Sequence, residues 1–67
     1  MKTLHLPEVW TERLVHLPES GMGYQKVNIF LKDGAVVENV IVLNAEECEV
    51  SENINAADIV DVQLAHR

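Results

Sequence analysis

The feature that most constrains the fold is the run from Tyr24 to Asn44, YQKVNIFLKDGAVVENVIVLN. Apolar and polar residues alternate along its first half with the period of two that is typical of a β-strand. Asp33-Gly34 between two such segments is the strongest short-range signal for a hairpin, because a type I′ turn needs a positive φ at both central residues. The sequence therefore predicts an antiparallel hairpin as the centre of a small β-structured domain.

The length of the hairpin loop determines which residues face one another across the two strands. A loop of two residues predicts four cross-strand pairs: Tyr24–Leu43, Val27–Val40, Phe30–Val37 and Leu31–Val36. A longer loop would shift this register and change the pairs. In the two-residue register both faces of the hairpin are largely apolar. A strand that is apolar on both faces belongs at the centre of a sheet, in a barrel or at an interface.

The length of the chain limits it to one domain, residues 1–67. A chain of this size buries only roughly 60% of the surface that its unfolded form exposes, so a lone monomer would be marginally stable. Cys48 is the single cysteine, which excludes a disulfide within the chain and fits a reducing cytoplasm. No apolar stretch approaches the ~20 residues that cross a bilayer, and the N-terminus does not have the pattern of a secretory signal. We expect a cytoplasmic protein.

The charge of the chain is acidic and unevenly distributed. The formal net charge is −6. Residues 1–32 carry four Lys or Arg against three Glu, whereas residues 33–67 carry one Arg against eight Asp or Glu. Nucleic-acid affinity comes largely from Lys and Arg that neutralise phosphates, and an anionic membrane repels acidic protein. We therefore expect neither nucleic acid nor membrane as a partner, while a protein with a basic face remains possible.

Residues 1–19 are ambiguous, and we treat them as an N-terminal arm or strand beside a core formed by residues 20–67. Trp10, Leu14 and Leu17 would share the face of a helix, and Pro7 could occupy its first turn. The residues from Arg13 to Leu17 also alternate as a strand would, and periodicity cannot decide over so short a run. We favour a short strand or extended arm near 13–17.

The C-terminal third predicts three further elements. Cys48 and Val50 form a short third strand, and residues 53–58, NINAAD, form one helical turn with Asn53 or Asn55 as its cap. Residues 59–65 form a last strand, with three apolar residues expected on one face: Val60, Val62 and Leu64. The predicted fold class is mainly β: a small, strongly bent antiparallel sheet or barrel, with one short helical turn before the last strand. A barrel would remove the edges that such short strands leave unpaired.

Two resemblances extend this interpretation. Val27 to Gly34, V-x-I-x-L-x-D-G, together with Val40 to Asn44, is similar to the first signature of the Sm-like barrels, and the layout resembles Sm-like and SH3-like small barrels in general. RNA binders of that family would carry an Arg-Gly or Lys-Gly pair near the last strands, which NAADIVDVQLAHR does not contain. LPESGMGYQ followed by LKDG resembles short stand-alone bacterial proteins, and this second resemblance implies no activity.

The residues that could support catalysis or metal binding form no diagnostic pattern. The soft metal ligands are His5, His16, His66 and Cys48, and none of them has the spacing of a metal site. Ser20 has His16 four residues before it, without the third group and oxyanion hole that a hydrolytic site needs. A barrel of this size is filled by its own side chains. We therefore predict no enzyme, no catalytic residue and no cofactor.

The function that the sequence favours is a non-catalytic interaction or assembly module that forms a homo-oligomer through its strand surface. The candidate interface combines the three aromatic residues with the apolar residues of the second hairpin strand: Trp10, Tyr24, Phe30, Val37, Ile41 and Leu43. Aromatic residues are frequent anchors at protein interfaces. Two alternatives are an Sm-like barrel associated with nucleic acid and a protein that binds a small ligand or a metal.

Overall fold

A computed structural model describes residues 1–65. Its elements in chain order are β1 (Lys2–His5), α1 (Glu8–Val15), β2 (Tyr24–Leu31), β3 (Val36–Leu43), β4 (Glu47–Val50), a 3-10 turn (Ala56–Asp58) and β5 (Ile59–Leu64). The five strands form one antiparallel sheet in the order β1-β4-β3-β2-β5. The predicted fold class, mainly β with a helical turn before the last strand, is confirmed. Neither helix in the described part of the chain has the length and apolar character needed to cross a membrane.

The hydrophobic core lies on one face of the sheet and draws on nearly every element. Leu4 of β1, Leu14 of α1 and Val62 of β5 belong to the same cluster of buried side chains. Because β1 and β5 are the two outermost strands, the sheet must curl for both to contact one core. The segment interpreted as an N-terminal arm or strand, residues 1–19, begins with strand β1 and contributes Leu4, Leu6 and Leu14 to this core.

The N-terminal segment forms a helix where a strand was favoured. Helix α1 covers residues 8–15 and ends within the stretch 13–17, so the preference for a strand there was wrong. Pro7 precedes the first helical residue with φ −55°, an angle that its ring fixes and that suits the start of a helix. Leu14 is fully buried and Trp10 packs against the core. Burial of this apolar stripe decides between two patterns that the sequence supports equally.

The tight turn of the hairpin has three loop residues where two were predicted. The Leu31 N–H donates to the Ala35 carbonyl at 2.9 Å, and the Gly34 N–H donates to the Leu31 carbonyl at 3.0 Å. Only Gly34 takes a positive φ, 93°, so the turn is not type I′. Asp33 instead accepts a hydrogen bond from the Ala35 N–H through Oδ1 at 2.9 Å. Asp33-Gly34 suits a turn that ends in one left-handed glycine as well as it suits a type I′ turn. The sequence could not distinguish the two turns, and the prediction of a two-residue loop was wrong.

The longer loop shifts the register beside the turn by one residue. Phe30 faces Val36 and Ile29 faces Val37, so the predicted pairs Phe30–Val37 and Leu31–Val36 were wrong. The predicted pairs farther from the turn, Tyr24–Leu43 and Val27–Val40, are confirmed.

A β-bulge on β3 reconciles these two registers. Glu38 and Asn39 together oppose the single residue Asn28. Asn39 takes a left-handed φ of 59°, and its N–H donates to Asn28 Oδ1 at 3.0 Å. Asparagine is one of the few residues besides glycine that tolerate this conformation. The bulge reverses the face of the residues beyond it, so that Val37 packs against the core and Val36 is exposed.

A second irregularity, between β2 and β5, has the same effect on the last strand. Phe30 pairs with Asp61, but its neighbour Leu31 pairs with Ile59, which leaves Val60 unmatched. Ile59 is buried and Val60 is 55% exposed, so the prediction that Val60 shares a face with Val62 was wrong. The predicted strand at Cys48–Val50 is confirmed within β4, and the helical turn follows Asn55 without a side-chain cap.

Gln25 is the one buried polar side chain among the described residues, at 3% exposure. Its amide nitrogen lies 2.8 Å from the carbonyl oxygen of Leu14, 3.2 Å from that of Leu17 and 3.3 Å from that of Pro18. Leu14 lies in the last turn of α1, where its carbonyl also accepts from the Leu17 N–H at 3.0 Å, and Leu17 and Pro18 belong to the loop that follows. Gln25 therefore ties the end of the helix and the loop after it to the central strand.

We expect Gln25→Leu to lower the free energy of unfolding by about 1–3 kcal/mol, because the carbonyls of Leu14, Leu17 and Pro18 would lose the hydrogen bonds of this amide. Urea denaturation followed by the fluorescence of Trp10 would measure the change. Gln25→Glu keeps the shape of the side chain but cannot donate as a carboxylate, so it should be at least as destabilising. A Gln25→Leu variant as stable as the parent would contradict this role.

We expect Asn39→Val to cost about 1–2 kcal/mol of stability, because a β-branched residue is strained at a left-handed φ. Asn39→Gly is the matched control, and it should change the free energy of unfolding by less than about 0.5 kcal/mol, since glycine adopts this φ without strain. The same urea experiment compares the two. Equal stabilities for the valine and glycine variants would show that the bulge is not formed in solution.

Candidate functional site

The candidate site is the outer face of the hairpin, which we define as the side of β2 and β3 that points away from the core. Its apolar residues are Tyr24, Phe30, Val36, Ile41 and Leu43, and the polar Lys26 and Asn28 lie among them on β2. Cross-strand pairing places Tyr24 beside Leu43, Lys26 beside Ile41 and Phe30 beside Val36. The three aliphatic members are 42–47% exposed. Several large apolar side chains held together on one rigid sheet are a feature of protein interaction sites.

The structure brings four of the six predicted interface residues onto this outer face: Tyr24, Phe30, Ile41 and Leu43. The other two lie elsewhere. Val37 packs against the core because the bulge at Asn39 reverses its direction. Trp10 lies on α1, where it packs against the core and the Arg13 guanidinium stands 5.2 Å from the centre of its ring. Lys26 and Val36 were not predicted, and only the true register could have identified Val36.

Beside the outer face, a groove opens where β3 and β4 separate. These strands pair only at Val42–Cys48 and Leu43–Glu47. Beyond these pairs they part and enclose a groove of about 650 Å³. Its lining includes Val37, Val40, Val50 and Ile54 from the core side and Ile41 and Leu43 from the outer face. Within residues 1–65, no strand pairs with β3 over positions 36–41 on the side that faces β4.

The lining of this groove is acidic as well as apolar. Glu38 of β3 and Glu47 and Glu49 of β4 are its charged side chains, and no Lys, Arg or His side chain of the described residues contributes to it. The Met1 amino group is the one cation nearby, and it lies 3.4 Å from a carboxylate oxygen of Glu52. The three glutamates therefore leave a negative potential over an apolar surface.

The soft metal ligands of the sequence do not form a metal site among the described residues. His5 lies exposed on β1 and His16 lies exposed at the end of α1, whereas Cys48 is buried in the core. Burial raises the pKa of the Cys48 thiol, which disfavours the reactive thiolate. Across residues 1–65, no three His, Cys, Asp or Glu side chains are arranged to hold a metal ion. His66 lies outside the described residues.

The remaining polar candidates have structural partners. The Ser20 hydroxyl accepts a hydrogen bond from the Lys26 N–H at 2.8 Å, which joins the loop to β2. Asp58 forms an ion pair with Lys32 at 3.2 Å. Arg13 binds the carboxylate of Asp61, which joins α1 to β5.

Asp61 is the carboxylate with the clearest change in pKa. Gln63 Nε2 donates to its Oδ2 at 2.8 Å and contributes most to holding the pKa below its ordinary value of 3.8. Partial burial acts in the opposite direction. Hydrogen bonds from the Arg13 guanidinium and from the Val62 N–H, the latter at 2.9 Å, lower the pKa further. The charged form of Asp61 is therefore favoured by folding.

One loop residue has a role that the sequence did not indicate. Gly23 takes a positive φ, 80°, whereas Gly21 does not. A Cβ at Gly21 would lie 2.3 Å from Cε2 of Tyr24. Gly21 is needed because the Tyr24 ring packs directly over its backbone, a contact that fixes one aromatic residue of the outer face.

Comparison of the chain with protein-family models, curated proteins and solved structures finds no match. The resemblances to Sm-like and SH3-like barrels and to short bacterial proteins therefore stay predictions from the sequence.

We expect Asp61→Asn to lower the free energy of unfolding at pH 7 by about 0.2–1 kcal/mol, the usual contribution of a partly exposed ion pair. The carboxylate stabilises the fold above its unfolded pKa, and this contribution is lost as the pH falls through the lowered folded pKa. Urea denaturation at pH 7 and near pH 2.5 should therefore show a smaller difference between variant and parent at the lower pH. Glu12→Gln, on the exposed side of α1, is the control and should have little effect at either pH.

Proposed function

We propose that this protein is a non-catalytic assembly module that associates with copies of itself through the outer face of the hairpin. The observation that carries the proposal is the set of five large apolar side chains on this face: Tyr24, Phe30, Val36, Ile41 and Leu43. A small domain that leaves so many large apolar side chains on one face loses hydrophobic stabilisation that a partner would restore.

The size of a stable interface supports the use of the whole outer face. A standard interface buries about 800 Å² on each partner. The described chain exposes 4478 Å² in total, so such an interface would take about a fifth of its surface. It would have to extend from β2 across β3 to β4.

The charges along the outer side of the sheet favour a second copy as the partner. Lys26 on β2 and Glu47 and Glu49 on β4 flank the apolar residues of β3. If two copies pack face to face about a two-fold axis that runs parallel to β3, then β2 of one copy faces β4 of the other. Lys26 would then approach the two glutamates of its partner, and complementary charges of this kind fix the orientation of an interface.

The polar side chains support a non-catalytic role. Asp58 and Asp61 are held in ion pairs, and Ser20 accepts a backbone hydrogen bond. A general base or nucleophile has to be available to a substrate. The buried thiol of Cys48 supports our proposal of a reducing, cytoplasmic location.

Leu43→Lys tests the proposal. The new lysine would stand beside Glu47 on the neighbouring strand, so we expect the fold to persist while the apolar face is interrupted. Size-exclusion chromatography with light scattering at micromolar to millimolar concentration should show an oligomer for the parent chain. The variant should stay monomeric up to a concentration at least tenfold higher than the one at which the parent chain begins to associate.

Val60→Lys is the matched control, because Val60 is an equally exposed aliphatic residue that lies on β5, outside the outer face. This variant should associate as the parent does. A parent chain that is monomeric throughout the concentration range would overturn the proposal, and so would equal loss of association in both variants.

A further inference from the structure

We propose that the groove between β3 and β4 binds an extended segment of another protein in which apolar residues alternate with Lys or Arg. This goes beyond self-association through the outer face. The inference combines three observations at one place: an open strand edge, an apolar lining and a set of unbalanced carboxylates.

The backbone of β3 supplies the first observation. Along the described chain, β3 pairs with β2 except at the bulge residues Glu38 and Asn39, but its other edge pairs with β4 only at Val42 and Leu43. Positions 36–41 therefore present backbone donors and acceptors to the groove. An extended peptide recognises such an edge by adding itself as a further strand, and its main-chain hydrogen bonds supply much of the affinity.

The side chains of the groove set the pattern of the segment. Val37, Val40, Val50 and Ile54 line it from the core side. Side chains of an added strand point alternately to its two faces, so every second one would contact this apolar lining. The groove volume of about 650 Å³ lies within the range of pockets that bind ligands.

The charges determine the residues at the alternate positions. Glu38, Glu47 and Glu49 line the groove, and its single described cation, the Met1 amino group, is paired with Glu52. Lys or Arg in the bound segment would neutralise the three glutamates. Acidic residues at the same positions would meet like charges.

A second copy of this chain does not offer such a segment. Three stretches of the described chain have a free edge: β1, β5 and residues 36–41 of β3. β1, KTLH, carries one lysine and one histidine, whereas β5, IVDVQL, and residues 36–41, VVENVI, each carry only a negative charge. The chemistry therefore indicates a different, basic protein.

Isothermal titration with the synthetic peptide Ac-KVKVKVKV-NH2 tests the proposal directly. We expect saturable binding with one peptide per chain at low ionic strength, weakened at least tenfold by 0.5 M salt because carboxylates contribute. The peptide Ac-EVEVEVEV-NH2 should not bind. Ac-KKKKVVVV-NH2 has the same composition without the alternation and should bind at least tenfold more weakly. Equal affinity for the alternating and the block peptide would overturn the proposal in favour of unspecific charge attraction.

Two double variants with the same change in net charge separate the groove from the general acidity of the chain. Glu47→Gln with Glu49→Gln should weaken binding of the alternating peptide at least tenfold. Glu8→Gln with Glu12→Gln, on α1, should change the dissociation constant less than twofold. Equal effects of the two double variants would overturn the assignment to the groove.

Methylation of the peptide backbone tests strand addition. A strand that pairs along one edge uses the N–H groups of every second residue. A peptide N-methylated at every valine and a peptide N-methylated at every lysine should therefore differ in affinity. One should bind at least tenfold more weakly than the unmethylated peptide, and the dissociation constant of the other should change less than threefold. Equal affinities would exclude pairing with the β3 edge. Ile41, Leu43, Glu47 and Glu49 belong both to the groove and to the interface proposed for self-association. The titrations are therefore run below the concentration at which light scattering detects oligomers, so that this proposal and self-association succeed or fail separately.

Discussion

Strand β2 is the constraint on which the rest of the structure depends, because both of its edges are paired and its inner side chains reach the centre of the core. It pairs with β3 on one side and β5 on the other. Val27 and Ile29 are fully buried, and Gln25 holds the end of α1 through its amide. A strand fixed in this way restricts where the neighbouring elements can pack. The helix, the hairpin and the last strand are all placed by contacts to this one strand.

Two local irregularities decide which apolar residues the protein buries and which it presents. The bulge at Asn39 sends Val37 to the core and Val36 to the outer face, and the shift near Leu31 does the same for Ile59 and Val60. A shift of one residue exchanges the two faces of a strand. Without the bulge, the outer face would gain Val37 and lose Val36. The candidate interaction surface therefore depends on a left-handed asparagine that is not part of it.

The two surfaces we propose as functional arise from the curvature of the sheet. The outer face follows from a hairpin with more apolar residues than one side can bury. The groove exists because β4 turns away from β3 after two pairs to join β1, as the sheet closes around its small core. Separation of the strands opens a backbone edge and leaves the glutamates of β4 around an apolar lining. A flatter sheet would pair all four residues of β4 with β3 and would narrow the groove.

The sequence by itself determined strands β2 to β5, the hairpin, the helical turn before the last strand and four of the outer-face residues, because period-two alternation and turn residues act over short distances. Only the tertiary structure decided that residues 8–15 form a helix, since burial of Leu14 and the amide of Gln25 select between two patterns of similar strength. The register near the turn and the groove also required the folded chain. Bulges and the separation of β3 from β4 arise where a twisted sheet closes on a small core, a requirement that joins residues far apart in the sequence.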